Sequence, residues 1–445
     1  MALDNTFRLS NYSIPIHVDE NKIFLIHGYT GAIDIVSKEL FDDLLKNKFD
    51  ELDNALIGYL EKRGILTRKN LEEERTHVAR ICELLKKRNL RFTPIIVTIP
   101  ITYDCNFDCV YCFEKKRNNI KGKIISKKQV DNIFQCLSNL KKEGKEINKV
   151  ITLFGGEPLL MENREILKYI VERGARQSYK FTVISNGYEA DMLLDLFGQG
   201  KIVGAQITID GTSLIHNSRR LLSDGSATYD KIIENIILLL EKGVTVRVRV
   251  NVDSGNVDDL VNLENDLERK GLFKFNKFSI YTEFIGGECN FNPEGYMQKA
   301  VSYSDFVTKV SKCRFASAEN KIRTRIENAI NMKKALALSP SHCNAHYGNI
   351  VFDPFGNIYS CLEVLGDQTK SIGKYNKDGI IWNESSKSLW YDRKYSERCR
   401  KCKFILLCGG GCFVKSMKKT TQYCDNFYEK LRYAVKRIYV ESLKH

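Results

Sequence analysis

An α/β architecture built on a partial (β/α)6 barrel of TIM type, flanked by a small N-terminal module and a cysteine-rich C-terminal domain, follows from three features of the 445-residue chain. From Thr93 to about Thr282, apolar runs alternate with amphipathic helical stretches, the pattern of βα units around a parallel sheet. Residues 1–92 read as strands followed by helices. After about residue 330 helical periodicity fades, and Cys, Gly and aromatic residues become dense. A chain of this length exceeds what one core usually organises, and the boundaries fall at 1–92, 93–330 and 331–445.

In the first segment a hairpin is expected around Lys22–Ile35, with Gly28 and Gly31 as its turn signals. Helical patterns follow at Lys38–Lys46 and Glu51–Arg63, then a charged helix near Leu71–Lys87 that serves as a linker. The barrel strands are predicted at Ile95–Thr102, Lys149–Phe154, Lys180–Ser185, Gly204–Ile209, Val244–Val252 and Lys277–Tyr281. In such folds ligands gather at the carboxyl ends of the strands, so chemistry is expected just after each run. The last domain closes with a helix at Asn426–Lys444. Its loop-rich body buries little apolar surface, which metal ligation would offset.

Composition narrows the function classes. Hydrophobic residues at 43% and charged residues at 28% are ordinary for a globular protein, and no apolar run reaches the length of a membrane span. The N-terminus lacks a basic stretch followed by an apolar one, so a cytoplasmic protein is expected. The formal charge of +14 is spread along the chain without aromatic interleaving, which argues against a nucleic-acid partner and fits an acidic peptide or anionic cofactor. Fourteen cysteines in a chain without an export signal point to metal rather than disulfides.

Directly after the first strand comes Tyr103-Asp104-Cys105-Asn106-Phe107-Asp108-Cys109-Val110-Tyr111-Cys112. Three thiolates on one short loop can grip three corners of a cubane cluster and leave the fourth iron open to a small molecule. A zinc knuckle is the alternative, but structural zinc wants four protein ligands, and no further Cys or His follows within reach of this loop. Three short motifs follow later strands in order: Gly155-Gly156-Glu157-Pro158, then Ser185-Asn186-Gly187, then Ile209-Asp210-Gly211 with His216 and Arg220.

Together these resemble the radical S-adenosylmethionine (SAM) superfamily. The resemblance implies that Cys105, Cys109 and Cys112 hold the [4Fe–4S] cluster that cleaves SAM, so these are the catalytic cysteines. It further implies that Gly155, Gly156 and Glu157 receive the methionine amino group, and that Ser185 and Asn186 reach the ribose or carboxylate. Asp210 and Arg220 belong to the pattern of the peptide-modifying branch, where Arg220 would fork onto the methionine carboxylate. The product would be a 5′-deoxyadenosyl radical able to take hydrogen from an unactivated C–H bond. A reductant such as ferredoxin or flavodoxin would supply the electron.

The C-terminal region reads Cys343, Cys361, Cys399-x2-Cys402-x5-Cys408-x3-Cys412 and Cys424, a dense metal signature with a zinc ribbon as its alternative. Its spacing resembles the SPASM domain, which binds auxiliary [4Fe–4S] clusters and would bring the total to three. On that resemblance Cys399, Cys402, Cys408 and Cys424 hold one cluster completely, and Cys343, Cys361 and Cys412 hold part of the other. Either this inner cluster keeps an open iron, able to bind a substrate thiolate, or Cys313 closes it. Cys82, Cys136 and Cys289 have no metal spacing and read as packing residues.

The N-terminal segment, ending in Asn54-Ala-Leu-Ile-Gly-Tyr-Leu-Glu-Lys-Arg-Gly-Ile-Leu66, resembles winged-helix-like modules that recognise the leader of a ribosomally made precursor peptide, often by adding it as a strand. A DNA-binding winged helix is the competing reading. In tandem with the barrel, the module implies maturation of a Cys-containing precursor peptide by a thioether crosslink, of the sactipeptide or ranthipeptide type. An anaerobic sulfatase-maturating enzyme that makes formylglycine is the second reading, and a non-catalytic zinc-binding winged-helix adaptor the third.

Overall fold

The computed structural model describes residues 7–112, 122–284, 303–315, 318–418 and 427–443. Residues 1–91 group with 319–343 and 394–445 as one compact unit, and residues 92–318 with 344–393 as another.

In the first unit, β1 (Arg8–Leu9) pairs antiparallel with β5 (Leu66–Thr67). The strands β2 (Ser13–His17), β3 (Lys22–His27) and β4 (Ile33–Ser37) form an antiparallel meander in the order β2-β3-β4. The hairpin expected at Lys22–Ile35 is therefore present, and β2 is an addition the sequence pattern did not reveal. Both faces of the central strand are apolar, so β3 reads as a continuous run instead of an alternation. Ile23 and Leu25 pack with Phe41, Leu44, Leu60 and Ile65, residues carried by the helices Lys38–Leu45 and Asn54–Arg63 and the turn after them. Side chains of successive strand residues point to opposite faces, and Phe24 and Ile26 join Ile14 and Ile16 in a second cluster. Its other members include Ile326, Leu336, Leu407, Leu431 and Val435, from segments far along the chain.

The turn at Gly28 and Gly31 has a steric reason beyond the hairpin. A Cβ on Gly28 would lie 2.2 Å from the Lys403 carbonyl oxygen, and one on Gly31, at φ +73°, would lie 2.3 Å from that of Leu336. The helix Leu71–Phe92 is tied back to the strands through fully buried Glu74. Its carboxylate accepts from Arg8 Nη2 at 2.9 Å, Tyr29 Oη at 3.3 Å and the Ser10 hydroxyl.

In the second unit, the strands β6 (Ile95–Pro100), β7 (Ile147–Phe154), β8 (Lys180–Ser185), β9 (Ile202–Thr208), β10 (Thr245–Val252) and β11 (Phe278–Phe284) lie parallel and in sequence order. Each begins and ends within a few residues of its expected run, giving the open, partial six-stranded barrel that the alternation predicts. The sheet then continues from β6 into β12 (Asn349–Phe352), which is parallel to it, and on into antiparallel β13 (Asn357–Tyr359), β14 (Gly373–Asn376) and β15 (Gly379–Trp382). Among the described residues no helix is long and apolar enough to cross a membrane.

Candidate active site

The loop from Cys105 to Cys112 leaves β6 and is stitched to residues 219–223. The amides of Asp108 and Val110 donate to the carbonyls of Leu221 and Arg219 at 2.9 and 3.1 Å, and Ser223 donates to the Asn106 carbonyl at 2.9 Å. Phe107 and Leu222 bridge antiparallel at the same seam. Within the loop, the Phe107 amide donates to Cys105 Sγ at 3.4 Å, and that of Cys112 to the Cys109 carbonyl at 3.2 Å.

Burial pushes the Cys105 thiol well above its ordinary range, and Glu157, Cys109 and Cys112 add to the shift. The three thiols therefore lie within electrostatic reach of one another and of Glu157. Arg220 is buried beside them. Burial alone would lower its pKa, but Cys109, Tyr111 and Asp210 hold it well above the usual guanidinium value. Three cysteines on one loop beside a buried cation fit a [4Fe–4S] cluster, which needs thiolates and tolerates net negative charge when a cation faces it. Among the described residues no three His, Cys, Asp or Glu side chains are grouped so as to hold a single metal ion; a cubane spreads its thiolates over separate irons.

Gly155 and Gly156 follow β7 and lie flat on the segment that leads into the cysteine loop. The Gly156 amide donates to the Thr102 carbonyl at 3.0 Å and that of Glu157 to Asp104 at 2.7 Å. A Cβ on Gly156 would stand 2.3 Å from the Asp104 oxygen, and one on Gly155, at φ +149°, 2.3 Å from that of Thr102. The pair thus lets two backbones touch behind the cluster loop. Glu157 is buried, and burial raises its pKa to about 7 against hydrogen bonds that lower it. Its oxygens accept from the Leu159 amide at 2.8 Å, the Ser185 hydroxyl at 2.6 Å and the Asn186 amide at 2.6 Å. Glu157 therefore joins the strand ends of β7 and β8. Asn186 continues the chain, donating from Nδ2 to Asn106 Oδ1 at 2.8 Å.

Beyond β9, Asp210 is fully buried. It accepts from the Asn251 amide at 3.1 Å and from the Tyr111 hydroxyl. Tyr111, the residue before Cys112, is a hub that sequence reasoning missed. Arg220 Nη1 donates to its hydroxyl oxygen at 2.6 Å and Asn251 Nδ2 at 3.1 Å. The signal was the aromatic residue in the cysteine motif, read there only as part of a pattern. Arg220 Nε is buried without a hydrogen-bond partner, so the side chain is incompletely satisfied. Neighbouring Arg219 forks onto Asp253 at 3.0 and 2.7 Å, both groups buried. His216 is a neutral, fully buried strut. The Thr228 hydroxyl donates to the Arg220 carbonyl at 2.6 Å, so His216 Nε2 donates to Thr228 at 3.1 Å and Nδ1 accepts from the Asp210 amide at 3.3 Å.

The C-terminal cysteines divide between the units. Cys343, Cys399, Cys402, Cys408 and Cys412 belong to the first, Cys361 and Cys313 to the second, and Cys424 and Cys289 lie outside the described residues. The Cys399 amide donates to the Ser396 hydroxyl, which caps a short helix, and Cys402 bonds back to the Cys399 carbonyl at 3.1 Å. Cys408 ends the next short helix, and Gly409, Gly410 and Gly411 then run at φ +68°, +77° and +68° into Cys412. A Cβ on Gly409 would lie 2.2 Å from the Ser341 carbonyl carbon and 2.3 Å from the His342 nitrogen. This backbone contact brings the segment before Cys343 against the turn joining Cys408 to Cys412. Cys313 Sγ meets the Lys309 carbonyl at 3.9 Å. Cys82 and Cys136 are buried in helices, as packing residues are. Asp353 is buried and caps the β12–β13 turn, accepting from the Phe355 and Asn357 amides at 2.9 and 2.7 Å.

Residues 99–267 match the Radical SAM superfamily model. Three curated relatives are each 24% identical. The antilisterial bacteriocin subtilosin biosynthesis protein AlbA of Bacillus subtilis aligns over 75% of this chain and 70% of its own. The radical SAM cyclopropyl synthase TigE of Paramaledivibacter caminithermalis aligns over 92% and 90%. The cysteine-type anaerobic sulfatase-maturating enzyme of Clostridium perfringens aligns over 76% of this chain and 95% of its own.

Proposed function

We propose that this chain, a radical SAM enzyme by its residues 99–267, matures a ribosomally made precursor peptide by joining a Cys sulfur to a carbon in a thioether. When bound, a [4Fe–4S] cluster with SAM would supply a 5′-deoxyadenosyl radical to take the hydrogen atom, the thiol proton would go to solvent, and the remaining electron would pass to an auxiliary cluster. The chain's own residues frame that chemistry. Cys105, Cys109 and Cys112 present thiolates from one stitched loop, and Glu157, Ser185 and Asn186 lock the adjoining strand ends. Arg220, with one donor unsatisfied, offers a fork to the SAM carboxylate, held in place by Tyr111 and Asp210.

The observation that carries the peptide reading is the N-terminal meander. Its outer strand β4 pairs only with β3 among the described residues and exposes Ile35, an edge to which a leader can add as a strand. AlbA serves bacteriocin biosynthesis, which supports the peptide reading; it and the sulfatase-maturating enzyme each leave about a quarter of this chain unmatched, whereas TigE spans nine-tenths of both chains. A zinc-binding adaptor does not fit a radical SAM domain.

The auxiliary clusters are part of the same reading, with Cys399, Cys402, Cys408 and Cys424 in one and Cys343, Cys361 and Cys412 in the other. The Gly409 contact supports the pairing of Cys343 with Cys412. Gly409→Ala is expected to remove part of the C-terminal iron, with SAM cleavage at the barrel retained, because both the positive φ and the Ser341 backbone reject a Cβ. Iron and sulfide counts on the anaerobically reconstituted variant check this.

The function is tested with reduced enzyme, SAM and the Cys-containing peptide encoded nearest the gene. A thioether product loses two hydrogen atoms and no longer reacts with a thiol alkylating agent. A formylglycine product would also exchange sulfur for oxygen and would revive the sulfatase reading. Loss of two hydrogens with the thiol still alkylatable would mean a carbon–carbon bond.

A further inference from the structure

One face of the parallel sheet carries cations that the SAM site leaves unused. Along β10 the sequence Val246-Arg-Val-Arg-Val-Asn-Val252 alternates. Val246, Val248, Val250 and Val252 are fully buried on the side that meets the helix Tyr229–Glu241, so Arg247, Arg249 and Asn251 share the opposite face. The register sets Arg247 beside Gln206 of β9, and Arg249 beside Tyr281 of β11. Tyr281 reaches across β10 to donate to Gln206 Oε1 at 2.9 Å. The Arg247 guanidinium stands 4.3 Å over the Tyr281 ring, and Arg249 is the direct register partner of Tyr281. Arg249 Nε also donates to Asn251 Oδ1 at 2.8 Å. Asn251 is the same residue that donates to Tyr111 beside Cys112, so this stripe begins at the cluster loop and runs outward to exposed Arg247.

Neither guanidinium has a carboxylate within 4 Å among the described residues, although most other arginines on this unit do. Glu283, which pairs in register with Asn251, is the acid that shares the face. Arg249 is half-buried and carries planar donors, and its bond to Asn251 Oδ1 is to a neutral group, so its charge is left for an anion to complete. Tyr281, fixed by its bond to Gln206, orients the Arg247 guanidinium and Asn251 orients that of Arg249, the preorganisation a bidentate carboxylate site requires.

We infer that Arg247 and Arg249 bind an acidic side chain of the substrate, so that an Asp or Glu lies close to the residue attacked by the radical. This rests on the peptide-maturase reading above and gives the substrate a chemical class. The test uses the reconstituted full-length enzyme with SAM and two dye-labelled peptides, acetyl-Gly-Glu-Cys-Glu-Gly-amide and its Gln twin, with blocked ends so that only side-chain carboxylates differ. Fluorescence anisotropy at low salt is expected to give about tenfold tighter binding of the Glu peptide, and Arg247→Gln with Arg249→Gln is expected to erase the preference. Equal binding of the twins to the wild type overturns the inference, as does a preference that survives in the double variant. If the double variant does not fold, Arg247→Gln alone decides, since this residue sits at the exposed end of the stripe. There, a preference reduced several-fold supports the assignment. An unchanged preference with weakened SAM binding assigns the stripe to the SAM carboxylate and overturns it. An acidic preference together with a precursor that never loses hydrogens would leave this site standing and remove the thioether chemistry.

Discussion

Replacing Cys105, Cys109 and Cys112 together with alanine is expected to lower the iron content of the reconstituted enzyme from about twelve to about eight atoms per chain and to abolish reductive SAM cleavage. The size of the effect follows from geometry. All three thiols sit on one loop, tied by three backbone hydrogen bonds to residues 219–223, so the variant keeps the loop's frame and loses only its ligands. Far-ultraviolet circular dichroism should therefore be unchanged while iron falls. About four irons in the wild type, with zinc making up the balance, would confine iron to the barrel and make the C-terminal domain a zinc staple. An iron content that does not move in the variant would remove these cysteines from the site.

The second large effect is expected at Asp253. Both partners of its fork with Arg219 are buried, and the Arg219 Nε lies 3.6 Å from Asp210. Asp253→Asn strips the bidentate partner and leaves a guanidinium in a low-dielectric site with a single, longer ion pair. Breaking such a pair costs about 3–5 kcal/mol, enough to lower the denaturant midpoint of the barrel unit markedly. The loss should reach the site as well. The Arg219 carbonyl receives the Val110 amide, so a shifted Arg219 loosens the loop between Cys109 and Cys112. Denaturant titration and SAM affinity of the same variant check both parts. A fall in stability with unchanged SAM affinity would uncouple the ion pair from the loop.

The barrel was legible because a parallel sheet writes itself into the chain as repeated local units. Each strand is a short apolar run followed by an amphipathic helix, and each motif sits at a strand end. Ser185 and Asp210 could be placed after β8 and β9 by counting strands. The tyrosine hub could not, since its partners Asp210 and Arg220 follow β9 and Asn251 lies in β10, and they meet Tyr111 only through the curvature of the sheet. Strand β12 was hidden for a similar reason. Asn349–Phe352 is four residues long and earns its place only by pairing with β6, far earlier in the chain. The N-terminal hairpin was visible from Gly28 and Gly31, but the reason for those glycines lies in the carbonyls of Lys403 and Leu336, which no local pattern encodes.

The second face of the N-terminal meander bears on how the enzyme could be engineered. Ile14, Ile16, Phe24 and Ile26 share one core with Ile326, Leu336, Leu407, Leu431 and Val435. Excising residues 1–91 would strip that cover from the C-terminal helix and leave an apolar stripe in water, a surface that promotes self-association. A chimera meant to redirect the enzyme to a foreign leader therefore has to carry the apolar partners at 326–336 and 407–435 along with the new meander. Transplanting the N-terminal module as a cassette would trade specificity for aggregation.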